Sequence, residues 1–120
     1  MGDYQPKYKP GATINVTLTA AVTGGQLVTV AGAVAGADSS SWIGVASRDA
    51  VAGETIGVYC EGVQRVTTAG ALAQGALLKC AANGQVTTWV AGTDSAEKFI
   101  GVLMEAAAGA GSVAPASFVR

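Results

Sequence analysis

Residues 42–59 read WIGVASRDAVAGETIGVY, and residues 99–118 read FIGVLMEAAAGAGSVAPASF. Each stretch begins with an aromatic residue and Ile-Gly-Val, continues to an Ala-Gly, and ends in a valine-containing segment. Upstream of them, residues 20–31 (AAVTGGQLVTVA) and residues 70–81 (GALAQGALLKCA) also resemble each other. Such self-similarity indicates an internal duplication. The sequence therefore predicts a domain built from two related halves that close around one core.

The duplication decides the structure of residues 94–109, DSAEKFIGVLMEAAAG. By itself this segment reads as a helix, because Asp94 and Glu97 match a capping box and the apolar residues that follow fall at helical spacing. The related stretch at residues 42–59 has no helical period. We therefore predict a strand at residues 100–104, preceded by a helical turn at residues 95–98.

The rest of the chain has the pattern of an all-β protein. Valine, threonine and glycine are abundant, and they favour strands joined by tight turns. Residues 13–19 (TINVTLT) alternate strictly, and Asn83-Gly84 predicts a hairpin with a type I′ turn. Further strands are predicted at residues 26–30, 42–46, 55–59, 62–67, 76–80, 85–90 and 112–119. This spacing is typical of a small β-barrel or sandwich.

Residues 1–12 differ from the β domain predicted for residues 13–120. Proline fixes φ and disfavours helix in the preceding residue, so this segment is predicted to be extended. One interpretation is a disordered tail; the one we prefer is an arm that orders on a neighbour, since aromatic side chains often anchor such contacts. The candidate partner-binding residues of this arm are Tyr4, Pro6, Lys7, Tyr8, Lys9 and Pro10.

The composition argues against catalysis. The chain has no histidine, and its charged residues, 12% of the total, are about half the usual fraction. Without histidine, nothing in the sequence supplies a base beside a nucleophile. The acidic residues after the arm fall mostly in turn-like places, where solvated side chains are expected: Asp38, Asp49, Glu54, Glu61, Asp94, Glu97 and Glu105. We predict no enzyme activity, no cofactor and no metal site.

Charge and hydropathy limit the partners. The net charge of −1 gives no basic footprint for nucleic acid. No uninterrupted apolar stretch of about 20 residues is present, and the first residues have no signal-peptide core, so we predict no membrane contact and synthesis in the cytoplasm. Cys60 and Cys80 adjoin apolar strand-like runs and are predicted to be small buried residues rather than a disulfide. A surface with so little charge is instead typical of assembly with a protein partner.

Four motifs in order carry a family resemblance: AAVTGGQLV, an IGV strand, AGALAQGALLKCAANGQVTT and FIGVLMEAAAGAGS. Over residues 13–119 the chain resembles the small capsid decoration, or cement, proteins of tailed bacteriophages. The resemblance implies a homotrimer on the outer face of the capsid that ties neighbouring major capsid proteins together. It also implies an N-terminal arm that adds to a neighbour's sheet, although the two prolines interrupt such pairing.

Two other functions are compatible with the sequence. One is a carbohydrate-binding or adhesive β module on a virion or cell surface, with Trp42, Tyr59 or Trp89 as the platform. The other is a small enzyme that uses a pair of carboxylates.

Overall fold

The computed structural model describes residues 13–119, which form nine β-strands in two antiparallel sheets. The strands are β1 (Ile14–Thr17), β2 (Leu27–Thr29), β3 (Trp42–Ala46), β4 (Thr55–Tyr59), β5 (Gly62–Thr67), β6 (Leu77–Cys80), β7 (Val86–Thr88), β8 (Phe99–Leu103) and β9 (Val113–Phe118). Two short 3₁₀ turns lie at Ala82–Gly84 and Ala96–Lys98. The all-β class is confirmed, whereas the predicted arm lies outside the described residues. No helix in the described part of the chain is long and apolar enough to cross a membrane.

The two sheets repeat one topology. The first has the order β1-β4-β3-β2, and the second has the order β5-β9-β8-β6-β7. Strands β1 to β4 therefore correspond to β5, β6, β8 and β9, and β7 is an addition at the edge of the second sheet. This is the pair of related halves that the sequence predicts, with the Asn-Gly hairpin as the extra length.

The duplication extends to the strand register. In the first half, Leu27 and Val28 pair with Val45 and Gly44, and the register then shifts by one residue. In the second half, the same pairing and the same shift occur in the alignment of β6 with β8, where Leu78 lies opposite Gly101. Equal register at equal positions means that corresponding residues of the halves occupy corresponding places on the two sheets.

The β6–β7 hairpin follows from the local sequence. Asn83 and Gly84 both have φ above zero, at 60° and 69°, as a type I′ turn requires. The Gln85 amide donates to the Ala82 carbonyl oxygen across this turn, at 3.3 Å. The predicted hairpin is confirmed.

The ambiguous segment at residues 94–109 is a strand, as the duplication predicts. The 3₁₀ turn Ala96–Lys98 leads directly into β8, where Ile100 and Leu103 are buried. Long-range pairing of β8 with β6 and β9 therefore overrides the helical spacing of the segment.

The strict alternation predicted for β1 also holds, since Val16 is buried and its neighbours Asn15 and Thr17 are exposed.

The main core lies between the two halves. It contains Leu27, Trp42 and Val45 from the first half together with the inner face of the second sheet. The ring of Trp42 packs edge-on against Phe118, with the ring centroids 5.7 Å apart. A second cluster, around Val28 and Val58, lies on the opposite face of the first sheet. One face of the first sheet thus supplies the contact that makes the halves one domain.

Candidate interaction surfaces

The six arm residues predicted to bind a partner, Tyr4, Pro6, Lys7, Tyr8, Lys9 and Pro10, lie outside the described residues. The described chain begins at Thr13, immediately before β1. Because β1 is the first strand in the order of its sheet, the described chain begins at a sheet edge.

An apolar surface that we call the aromatic patch lies on the second sheet. It is a depression of about 330 Å³ lined by Leu77, Trp89, Ala96 and Phe99. The Trp89 and Phe99 rings meet edge to face, with the centroids 5.3 Å apart. The Trp89 indole N–H donates to the Ser95 carbonyl oxygen at 3.0 Å. The indole is held in place by this bond and the ring contact, while the patch stays accessible to a partner.

A second apolar surface, which we call the Cys60 groove, lies on the first half. It has a volume of about 340 Å³ and is lined by Ile14, Trp42, Ile43, Cys60 and Glu61. Cys60 is half-buried, in contrast to the buried position predicted for it, whereas Cys80 is buried as predicted; the two form no disulfide. Burial raises the pKa of the Cys60 thiol, so at neutral pH this side chain contributes to the groove as a small apolar group.

A charged cluster joins the halves beside the core. The Lys79 ammonium contacts the carboxylates of Asp38 and Asp94, each at 2.8 Å. The Asp94 side chain is only 6% exposed and also accepts the Val90 amide at 2.8 Å. Asp94 is therefore not the solvated loop residue that the sequence predicts. The hydrogen bond from Lys79 is the main cause that lowers the pKa of Asp38 and of Asp94, and the two aspartates raise the pKa of Lys79.

We expect this cluster to make stability depend on pH in acid. Because the folded pKa values of the aspartates are lowered, their stabilisation is complete above the ordinary aspartate value of about 4 and is lost as the pH falls below it. Lys79→Met should therefore lower the urea midpoint at pH 7, and the gap from the native protein should shrink between about pH 5 and pH 2. Arg48→Met, which removes the exposed pair with Glu54, serves as the control. A gap that stays constant over this range would contradict the assignment.

Among residues 13–119, no group of three or more metal-ligating side chains comes together. The sequence does not predict that the carboxylates of Asp38 and Asp94 share one ammonium group, that of Lys79. Of the three candidate platform aromatics, Trp42 is buried in the core, Tyr59 is on β4 of the first sheet, and Trp89 belongs to the aromatic patch on the second.

Comparison with known proteins gives a matching family model and a similar solved structure. The model of the phage cement protein family matches residues 8–118. Among solved structures, the fold is similar to the N base of the head fiber gp8.5 of bacteriophage phi29, with a TM-score of 0.70 and 17% sequence identity over 90% of this chain and 93% of that chain. No curated protein matches the sequence. At this identity the structural likeness supports the fold, and the family match covers nearly the whole chain.

Proposed function

The chain belongs to the phage cement protein family, and from this premise we propose that it binds the outer face of a phage head and joins neighbouring major capsid proteins. A capsid decoration role comes with the family, which is a family of structural phage proteins located at the capsid. The proposal adds the outer face, the major capsid protein as partner, and synthesis in the host cytoplasm. It also assigns the protein a structural role without catalysis.

The observation that carries the proposal is the family match across residues 8–118. The described surface supports it, because apolar side chains stay exposed on several strands, among them Tyr59, Val63 and Val113. Exposed apolar area together with few charges favours burial against another protein. A cement protein stabilises a shell by binding the assembled form better than the unassembled one, so many modest contacts are sufficient.

We further propose that residues 1–12 are an extended arm, separate from the β domain of residues 13–120, and that the arm contacts a neighbour. Twelve extended residues span up to about 40 Å, which is enough to reach an adjacent subunit. Strand addition would give the arm main-chain hydrogen bonds, interrupted at Pro6 and Pro10, while Tyr4 and Tyr8 fill pockets. Lys7 and Lys9 would meet acidic groups of the partner.

Deletion of residues 1–12 is expected to weaken binding to undecorated phage shells by at least about tenfold while the domain stays folded. Co-sedimentation at a series of protein concentrations measures the binding, and thermal unfolding checks the domain. The double variant Tyr4→Ala/Tyr8→Ala should reproduce most of the loss. Arg48→Met, which removes an exposed ion pair and leaves the arm and the exposed apolar side chains unchanged, is the control. Unchanged binding after the deletion would rule out the arm as a capsid contact.

We also propose that the protein acts as a homotrimer. Three copies present three arms and three sets of apolar surfaces, so that several weak contacts act together on the shell.

A further inference from the structure

The face through which the first half packs against the second is buried, whereas the equivalent face of the second half is exposed. The residues through which the first half packs against the second include Leu27, Trp42 and Val45, all at most 4% exposed. Strand register makes Leu77, Phe99 and Val102 their equivalents in the second half. Leu77 is 38% exposed, and the other two are half-buried. The second half therefore presents, uncovered, the face that the first half buries, and this face forms the aromatic patch.

The other face of each sheet, which we call the receiving face, shows the reverse difference in exposure: it is buried in the second half and more exposed in the first. The core that the second half shares with the first includes Cys80, Ile100 and Phe118 on this face, all at most 9% exposed. Alignment of the repeats and their register makes Val30, Ile43 and Cys60 their equivalents in the first half. Val30 is 69% exposed, while Ile43 and Cys60 are half-buried and line the Cys60 groove. The receiving face of the first half is therefore uncovered at Val30, Ile43 and Cys60, beside the buried cluster around Val28 and Val58.

We propose that a second copy of this chain covers these faces, with the aromatic patch of one copy docked on the Cys60 groove of the next. The contact repeats between copies the packing that joins the halves within one copy. In the proposed homotrimer this contact between two different faces is heterologous, so that one free face of each kind remains until the ring closes. The inference deepens the self-association part of the proposed function and does not depend on capsid binding.

The duplication also assigns one residue pair across the contact. Within the chain, Trp42 of the first half meets Phe118 of the second, with the centroids 5.7 Å apart. Phe99 is the equivalent of Trp42, and Cys60 is the equivalent of Phe118. Phe99 of one copy is therefore expected to lie against Cys60 of the next copy.

Sedimentation equilibrium of the purified protein tests the aromatic patch. The native chain should associate in solution, and Leu77→Lys should weaken the association at least tenfold, because it places a charge in the contact. Leu77 is outside the buried core, so the variant is expected to fold. The matched control is Val63→Lys on β5, which is 56% exposed and lies on neither surface. A native chain that stays monomeric at about 1 mM, or a Leu77→Lys variant that associates like the native chain, would overturn the proposal.

Cross-linking tests the residue pair and the head-to-tail arrangement. Phe99→Cys treated with a short bismaleimide should give products that end at one closed ring and disappear when Cys60→Ser is added. Val119→Cys, an exposed position, is the control and should give no such ladder. Products that persist without Cys60 would show two aromatic patches packed on each other, and products that stop at a dimer would show a reciprocal contact in place of a ring. Either result would overturn the proposal. Loss of the products on deletion of residues 1–12 would also overturn it, since the arm would then be the occupant.

The proposed capsid role and the proposed contact between copies can be contradicted independently of each other. A chain that forms the ring but does not sediment with undecorated shells contradicts the proposed function and leaves the contact between copies in place. A chain that binds shells but shows no Cys60-dependent cross-link contradicts the contact and leaves the capsid role in place.

Discussion

Replacing Trp42 with alanine is expected to lower the free energy of unfolding by about 3–5 kcal/mol. The indole is 4% exposed in the core between the halves and packs edge-on against Phe118. Alanine would leave a cavity where the two sheets meet, and the surrounding strands, each fixed by its own hydrogen bonds, can collapse into it only in part. A loss of this size is a large part of the roughly 5–15 kcal/mol that a domain commonly has. Urea unfolding of the purified variant measures it.

Trp89→Ala is the matched control for Trp42→Ala. Trp89 is the tryptophan of the aromatic patch, is half-buried, and makes one indole hydrogen bond and one ring contact. Its removal should cost about 1–3 kcal/mol when the protein is dilute enough to be monomeric. If Trp42→Ala costs no more than Trp89→Ala, the halves do not share the core described for them.

Gly101→Ala is expected to destabilise the domain by about 3 kcal/mol. A β-carbon on Gly101 would overlap the carbonyl oxygen of Ser117 on β9. The equivalent glycine of the first half, Gly44, meets the Tyr59 carbonyl oxygen in the same way. Since the obstacle is backbone within a hydrogen-bonded sheet, relief requires the strands to separate. Thermal or urea unfolding measures the loss.

Gly70→Ala is the control for the glycine substitution. Nothing lies within 4 Å of a β-carbon built at Gly70, and its φ is not in the left-handed region. Alanine there should leave stability unchanged or raise it by up to about 1 kcal/mol, because it restricts the unfolded chain. Equal stability for Gly101→Ala and Gly70→Ala would mean that β8 and β9 do not approach each other closely at Gly101.

Much of the fold could be predicted because the sequence states its pattern twice. Residues 99–104 taken alone match a helix, yet their likeness to residues 42–46 predicts a strand, and the structure has β8 there. The alternation in β1 and the Asn83-Gly84 turn are local signals that need no tertiary information. The predicted strand bounds differ from the observed ones by a residue or two, because hydrogen-bonded pairing, and not composition, determines where a strand ends.

The interaction surfaces could not be predicted in the same way. Leu27 and Leu77 occupy the same place in the repeat, and only the packing of one half on the other makes the first buried and the second exposed. Likewise, nothing local in the sequence brings Asp38 to Lys79, because the contact joins segments far apart in the chain. The sequence does predict that an aromatic residue at a strand end is usually core, which holds for Trp42 and only partly for Trp89.

The duplication explains how a chain with few charges is suited to assembly. When the two halves pack together, the packing face of the first covers the receiving face of the second. The packing face of the second half and the receiving face of the first half then have no equivalent cover within the same chain. The aromatic patch and the Cys60 groove are those two faces. In the proposed function, the arm and the remaining exposed apolar side chains would contact the capsid.

The most direct test of the central claim is to mix the purified protein with undecorated phage shells, sediment them, and image the pellet by electron microscopy. The capsid decoration role predicts saturable co-sedimentation and regular added density on the outer surface of the shells. Protein that stays in the supernatant at concentrations well above that of the shell sites, with bare shells in the images, would contradict it.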